Sequence, residues 1–255
     1  MTERKIFDII ETVFPFSLNS LIMLGYRGSI AHGTYVPQHI DDVDICGICI
    51  PPKDYILGLK KFEQIEIKQF EYDILIYDIR KYFRLLLNNN PNVISWLWLK
   101  DQHYIKTTKY FNLIKDRRNI FLSKKCYKSF CGYAYSQLRR MTKFSYKGYM
   151  GKKRKELVEK YGYDCKNGAH LIRLLKMGIE LLIEKKVNVF REDNQLLISI
   201  KQGEWPLEKV KDYAEFLFKQ IDEAYIKTDL PDEPDYEEAN KLLVSIIESF
   251  FYKEG

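Results

Sequence analysis

Asp42-Val43-Asp44 sets two carboxylates two residues apart at the head of an apolar run from Val43 to Ile50. On a strand, residues i and i+2 face the same way. Two carboxylates side by side repel each other and resist desolvation. A hard divalent cation resolves that conflict, since magnesium prefers oxygen ligands; manganese is the alternative. A solvated Asp-rich turn ahead of a strand is the plainer reading of an isolated D-x-D. Asp73 lies inside a second apolar run, Phe70 to Tyr77, where a charged residue is unusual. If the two strands are neighbours, Asp42, Asp44 and Asp73 form one cluster. Three carboxylates can hold two cations about 4 Å apart, the arrangement used for in-line displacement at phosphorus. Glu71 shares the face of Asp73 and competes for the third place. Gly28-Ser29 ends an earlier apolar run, Leu21 to Tyr26. Such a glycine lets the backbone approach a ligand closely, free N–H groups at a helix start favour phosphate oxygens, and Ser29 adds a hydroxyl donor. The order is a phosphate site followed by its metal site.

Other residues extend this reading. His32 follows the Gly-Ser turn and is a candidate phosphate contact, with a structural loop histidine as the alternative. Lys166, His170 and Arg173 recur at helical spacing, so they share one face. That stripe is expected to meet a triphosphate or a base, or else to be a salt-bridged helix face. The densest basic run is Lys147, Lys152, Lys153, Arg154 and Lys155, interleaved with Tyr146 and Tyr149 and preceded by Arg139, Arg140 and Lys143. Cations among aromatic rings suit single-stranded nucleic acid, although a solvated charge run has the same composition. Trp96 and Trp98 read as packing residues, with base stacking as the alternative.

The elements that must position these groups follow from pattern and punctuation. A helix is expected from Lys5 to Phe14, ended by Pro15. Strands are expected over Leu21–Tyr26, Val43–Ile50, Phe62–Lys68 and Phe70–Tyr77. Asp78 is expected to cap the helix that follows, and Asn88-Asn89-Asn90-Pro91 to stop it. A short aromatic-rich helix is expected over Asn92–Leu99. Beyond it, long helical patterns cover Lys124–Phe144, Asn167–Lys186, Leu207–Ile226 and Tyr236–Tyr252. A hairpin is expected near 187–200, pairing Val187–Phe190 with Leu196–Ile200. The fold class is α+β: a small mixed β-sheet domain over residues 1–120, then a mostly helical domain over 121–255.

Bulk properties limit the alternatives. Hydrophobic residues make up 46% of the 255, enough for a buried core and too many for a disordered chain. The net charge of +6 is compatible with a polyanionic partner without requiring one. Cys46 and Cys49 have C-x-x-C spacing, but i and i+3 on a strand point to opposite faces. Buried thiols are therefore expected over zinc. An odd cysteine count and no signal-like leader point to a reducing, cytoplasmic compartment. Apolar runs fall well short of the ~18 residues a membrane span needs.

Taken together, Arg27-Gly28-Ser29-Ile30-Ala31-His32-Gly33-Thr34, Asp42-Val43-Asp44 and Asp73 resemble the polymerase-beta-like nucleotidyltransferase superfamily. The closer resemblance is to the RlaP-type nucleotidyltransferases associated with RNA repair. It rests further on Asp44-Ile45-Cys46-Gly47, on Asn90-Pro91-Asn92 before Trp96-Leu97-Trp98, and on Lys166-Asn167-Gly168-Ala169-His170-Leu171-Ile172-Arg173-Leu174. It extends from about Arg27 to Trp205; Asp41 stands where a serine is usual. The resemblance implies that a nucleoside monophosphate moves from an NTP to a hydroxyl acceptor, with RNA or tRNA foremost, and that pyrophosphate leaves. Gly28 and Ser29 would hold the triphosphate, Asp42 and Asp44 both metals, and Asp73 the catalytic metal and the hydroxyl proton. A protein or small-molecule acceptor, or a non-catalytic nucleotide- or RNA-binding module, are the competing readings.

Overall fold

The computed structural model describes residues 3–36, 42–142 and 152–252, apart from the side chains of 152–154 and 157. In chain order, α1 (Glu3–Val13) leads through a 3₁₀ turn at Leu18–Ser20 into β1 (Leu21–Tyr26), α2 (Gly28–His32) and β2 (Val43–Cys49). Then come α3 (Lys53–Ile56), β3 (Gln64–Gln69), β4 (Tyr72–Asp78), α4 (Ile79–Leu87), α5 (Pro91–Ile94) and β5 (Tyr104–Thr107). The rest of the described chain is helical: α6 (Lys109–Asp116), α7 (Lys125–Thr142), α8 (Lys152–Tyr161), α9 (Cys165–Glu184), α10 (Asn194–Lys201), α11 (Leu207–Lys227) and α12 (Tyr236–Tyr252). This is the α+β class expected from the sequence.

The five strands form one sheet in the order β3-β4-β2-β1-β5. β2 lies at its centre, antiparallel to β1 and parallel to β4. A central strand covered on both faces is apolar where it is covered, which explains the run from Ile45 to Cys49 in β2, with Asp44 near its start. One face carries Val43, Ile45 and Cys49 into a core with Ile6, Ile9 and Ile10 of α1. The other carries Cys46 and Ile48 into a larger core that continues through Phe130, Leu174 and Leu175 to Ile246. Cys46 and Cys49 thus sit in separate clusters on opposite faces. Burial pushes the Cys46 thiol up to about 12 and the Cys49 thiol well above its usual value, so both are neutral packing groups.

Capping sets the helix directions that matter for function. Asp78 accepts from the Arg80 N–H at 2.6 Å and starts α4 as expected. Asp164 accepts from the Asn167 N–H at 3.0 Å, and its second oxygen takes the Asn167 side-chain amide at 2.9 Å. That cap starts α9, which packs against α7, α10 and α11.

The hairpin expected near 187–200 is not formed. Asn194–Lys201 is helix α10, and residues 187–190 are not a strand. Leu197, Ile200 and Lys201 are buried. That i, i+3, i+4 spacing is the helical period, which the short apolar run disguised as a strand. The aromatic segment is also less regular than a single helix: α5 gives way to a 3₁₀ turn at Ser95–Trp98. Trp96 is buried and stacks on Tyr77 and Tyr82 with ring centroids 5.5 Å apart in each pair. β5, absent from the sequence expectations, forms the sheet edge beside β1.

Candidate active site

Parallel pairing of β2 with β4 puts Asp44 directly opposite Asp73. Residues paired in register project to the same side of the sheet, so the two carboxylates are neighbours on a rigid frame. Each keeps about a third of its side chain exposed, 31% for Asp44 and 28% for Asp73. Glu71 lies in the β3–β4 turn; its carbonyl accepts from the Val43 N–H at 2.7 Å, while its side chain is ion-paired with Lys5 of α1 at 3.0 Å. Asp42 is exposed immediately ahead of β2.

Between Asp44 and Asp73 lies a guanidinium. Arg27 Nη2 stands 3.1 Å from Asp73 Oδ1 and 3.6 Å from Asp44 Oδ1. Its Nε donates to the Ile45 carbonyl at 3.1 Å. Burial pushes the Asp44 carboxyl above its ordinary pKa; Arg27 pulls it back, and Asp73 and Asp42 push it up again.

The turn between β1 and α2 closes against the same carboxylate. Gly28 has φ +62°, and a Cβ there would stand 2.2 Å from Asp44 Oδ2. Glycine is required here on two counts, the left-handed backbone and the contact. The Ser29 hydroxyl is buried and has no hydrogen-bond partner among the described residues. An orphaned buried hydroxyl costs stability.

These groups form one wall of a cleft of about 410 Å³. Arg27, Gly28, Ser29, His32 and Asp44 come from the sheet half; Asn92 and Ser95 come from α5 and the turn after it. Lys166, Ala169, His170 and Arg173 of α9 form the opposing side, with Leu197 and Lys201 of α10 at its end. The stripe predicted by spacing therefore faces the Gly-Ser turn. Arg173 is the most telling member. Its guanidinium has a methionine sulfur, Met177 Sδ at 3.1 Å, as its one hydrogen-bond acceptor among the described residues. Burial, with the Arg191 charge adding to it, lowers its pKa to about 9. An enclosed cation without a carboxylate partner is costly to keep charged.

His32 is buried, and its Nδ1 lies 2.9 Å from the Val189 carbonyl. Burial first, and the Arg173 charge second, hold its pKa well below the ordinary value. The ring is therefore neutral, with Nδ1–H donating to Val189. This bond ties α2 to the segment before α10. Sequence reasoning missed Arg27 and Lys201. Arg27 was legible as the residue before Gly-Ser. Buried Lys201, which donates to the Thr34 carbonyl at 2.9 Å, was hidden by reading its segment as a strand.

Arg139 and Arg140 are exposed on the last turn of α7 and do not line the cleft. Lys152, Lys153 and Arg154 belong to the first turn of α8, with side chains outside the described set, and Lys147 lies outside the described residues altogether.

The donor set suits a hard divalent cation: carboxylate oxygens of Asp44 and Asp73, adjacent across two strands, with Asp42 close by in sequence. Among the described residues, no three His, Cys, Asp or Glu side chains are gathered tightly enough to hold a metal as they stand; the Arg27 guanidinium lies between two of the candidates. No described helix is long and apolar enough to cross a membrane.

A mixed sheet carrying a Gly-Ser turn and paired aspartates, faced by a helical half, defines a nucleotidyltransferase of the polymerase-beta type. The chain belongs to the RNA repair pathway DNA polymerase beta family, RlaP, whose pattern it matches over residues 9–245. No curated protein matches the chain. Among solved structures it is similar to a nucleotidyltransferase-like protein from Exiguobacterium sibiricum 255-15. The identity is 15% and the TM-score 0.31, over 99% of this chain and 91% of that one.

Proposed function

We propose that this protein transfers a nucleoside monophosphate from an NTP to a hydroxyl of RNA or tRNA, in a reaction that depends on magnesium or manganese. The observation that carries the proposal is the register pairing of Asp44 with Asp73, with Asp44 lining a cleft that also gathers Ser29, Lys166, His170 and Arg173, groups able to bind phosphate. Asp42, Asp44 and Asp73 would hold divalent cations, which supply charge neutralisation at the reacting phosphate.

The chain's own groups do the rest. Ser29 donates its unused hydroxyl to a phosphate oxygen, and Gly28 lets the backbone come close. Lys166, His170 and Arg173 hold the triphosphate tail or the base from the α9 side. The acceptor hydroxyl attacks the α-phosphorus in line. A new P–O bond forms, the bond to pyrophosphate breaks, and the hydroxyl proton passes to the Asp73 carboxylate. Positioning and preorganised charge account for the rate, and no covalent protein intermediate is required. Arg139 and Arg140, exposed at the end of α7, and in sequence the later basic residues 152–155, support a polyanionic acceptor.

The test is incubation with magnesium, labelled nucleotides and pooled RNA. Label that enters a ribonuclease-sensitive product, and is lost in Asp44→Asn, supports the proposal. Label that resists ribonuclease but yields to protease would move the acceptor to protein. Absence of Asp44-dependent transfer to any macromolecule would remove the proposal.

A further inference from the structure

Arg27 occupies the place that the proposed reaction reserves for cations. Nη2 contacts both Asp73 and Asp44, at 3.1 and 3.6 Å, while Nε is held by the Ile45 carbonyl. Lys68 approaches the other oxygen of Asp73 at 3.6 Å, but its side chain is 69% exposed and so contributes little. Arg27 is therefore the chief internal charge that makes two adjacent carboxylates tolerable. Its backbone is fixed independently, since the Arg27 N–H donates to the Asp44 carbonyl at 2.9 Å. Arg27 also lines the cleft, as Ser29 does, so a ligand there would lie within the surroundings of the same residue.

We infer that Arg27 is an exchangeable counter-cation, neutralising Asp44 and Asp73 in the nucleotide-free protein and passing to the triphosphate when divalent cations take the carboxylates. The inference rests on the cation site proposed above. A divalent ion binds a carboxylate oxygen at about 2.1 Å, and a guanidinium 3.1 Å from the same group would repel it across a very short distance. The two cations therefore compete. The phosphates resolve the competition by accepting the displaced guanidinium, for which bidentate pairing with phosphate oxygens is well suited. The consequence is coupled loading: cation alone binds weakly, triphosphate alone binds weakly, and each strengthens the other. Such coupling keeps the carboxylates from holding metal without substrate.

The experiment measures two affinities by titration calorimetry for the wild-type chain, Arg27→Met, Arg27→Lys and Asp44→Asn. One is for Mn2+ without nucleotide; the other is for inorganic tripolyphosphate in the presence of EDTA. Arg27→Met is expected to bind Mn2+ about tenfold more tightly and tripolyphosphate about tenfold more weakly, with Arg27→Lys between it and wild type. Opposite signs separate the exchange from a merely structural role, which would weaken both. Unchanged or weaker Mn2+ binding in Arg27→Met, with binding still abolished by Asp44→Asn, overturns the inference and leaves the cation site standing. Mn2+ binding that ignores Asp44→Asn overturns the site reading and the inference with it. If Arg27→Met does not fold, Arg27→Lys carries the same test, because its point charge bridges the carboxylates less well. Mn2+ affinity equal to wild type in that variant is then the overturning result.

Discussion

Gly28 and Asp44 constrain each other at the scale of single residues. The glycine needs its φ of +62° and has no room for a Cβ beside Asp44 Oδ2. Gly28→Ala should therefore cost about 1–3 kcal/mol of stability and most of the transfer activity, measured by urea unfolding and by labelled-nucleotide transfer. His32 gives a pH prediction whose sign is fixed by burial. Its folded pKa lies well below the ordinary 6.5, so between those two values the unfolded chain binds more protons than the folded one. Stability then falls as pH drops from about 6.5 towards the folded pKa, and levels off below it. His32→Asn keeps a donor for the Val189 carbonyl and removes the titration. Thermal unfolding from pH 7 to 5 should show a shallower decline in that variant than in wild type. Arg173 makes a complementary case. Replacing it with Met removes an enclosed charge that has no carboxylate partner, so stability should hold or rise. Triphosphate binding should weaken about tenfold. A simultaneous loss of stability and binding would mean that the guanidinium serves the core.

Elements explain why some of this site was legible in advance and some was not. The central strand β2 announced itself because coverage on both faces demands an apolar run, which the Asp42-x-Asp44 pair interrupts only at its start. Asp73 was harder to place. Its register with Asp44 depends on β2 and β4 being parallel neighbours, a non-local fact that no local pattern encodes, and a slip of one residue would have reversed its face. The Lys166, His170 and Arg173 stripe was visible because helical spacing is local. The same periodicity, applied to Leu197 and Lys201, would have revealed α10 instead of a hairpin strand. β5 was missed because it is only four residues long, Tyr104–Thr107, and pairs as a sheet edge with little apolar signal of its own. The cap on α9 belongs to this scale as well. Asp164 holds Asn167 through two hydrogen bonds. Asp164→Ala should loosen the start of α9, lower stability by about 1–2 kcal/mol and raise the KM for nucleotide more than it lowers kcat.

The molecule as a whole builds its cleft by packing a helical half onto one face of the sheet. The core is continuous across that junction, from Met23 and Ile48 through Phe130 and Leu175 to Ile221. Gly178 lets α9 approach both neighbours: a Cβ there would stand 2.7 Å from Ile221 Cδ1 and 3.1 Å from Phe130 Cβ. Gly178→Ala should overpack this junction by about 1–3 kcal/mol, and nucleotide affinity should fall with it, because α9 carries the opposing wall. The central claim is that Asp44 and Asp73, rather than Glu71, act on the nucleotide. The direct measurement is the rate of pyrophosphate release with magnesium, NTP and pooled RNA for wild type, Asp44→Asn, Asp73→Asn and Glu71→Gln. Losses of about a hundredfold or more in both aspartate variants, with Glu71→Gln close to wild type, are the predicted result. Pyrophosphate release that survives Asp44→Asn and Asp73→Asn, or that collapses in Glu71→Gln alone, would contradict it.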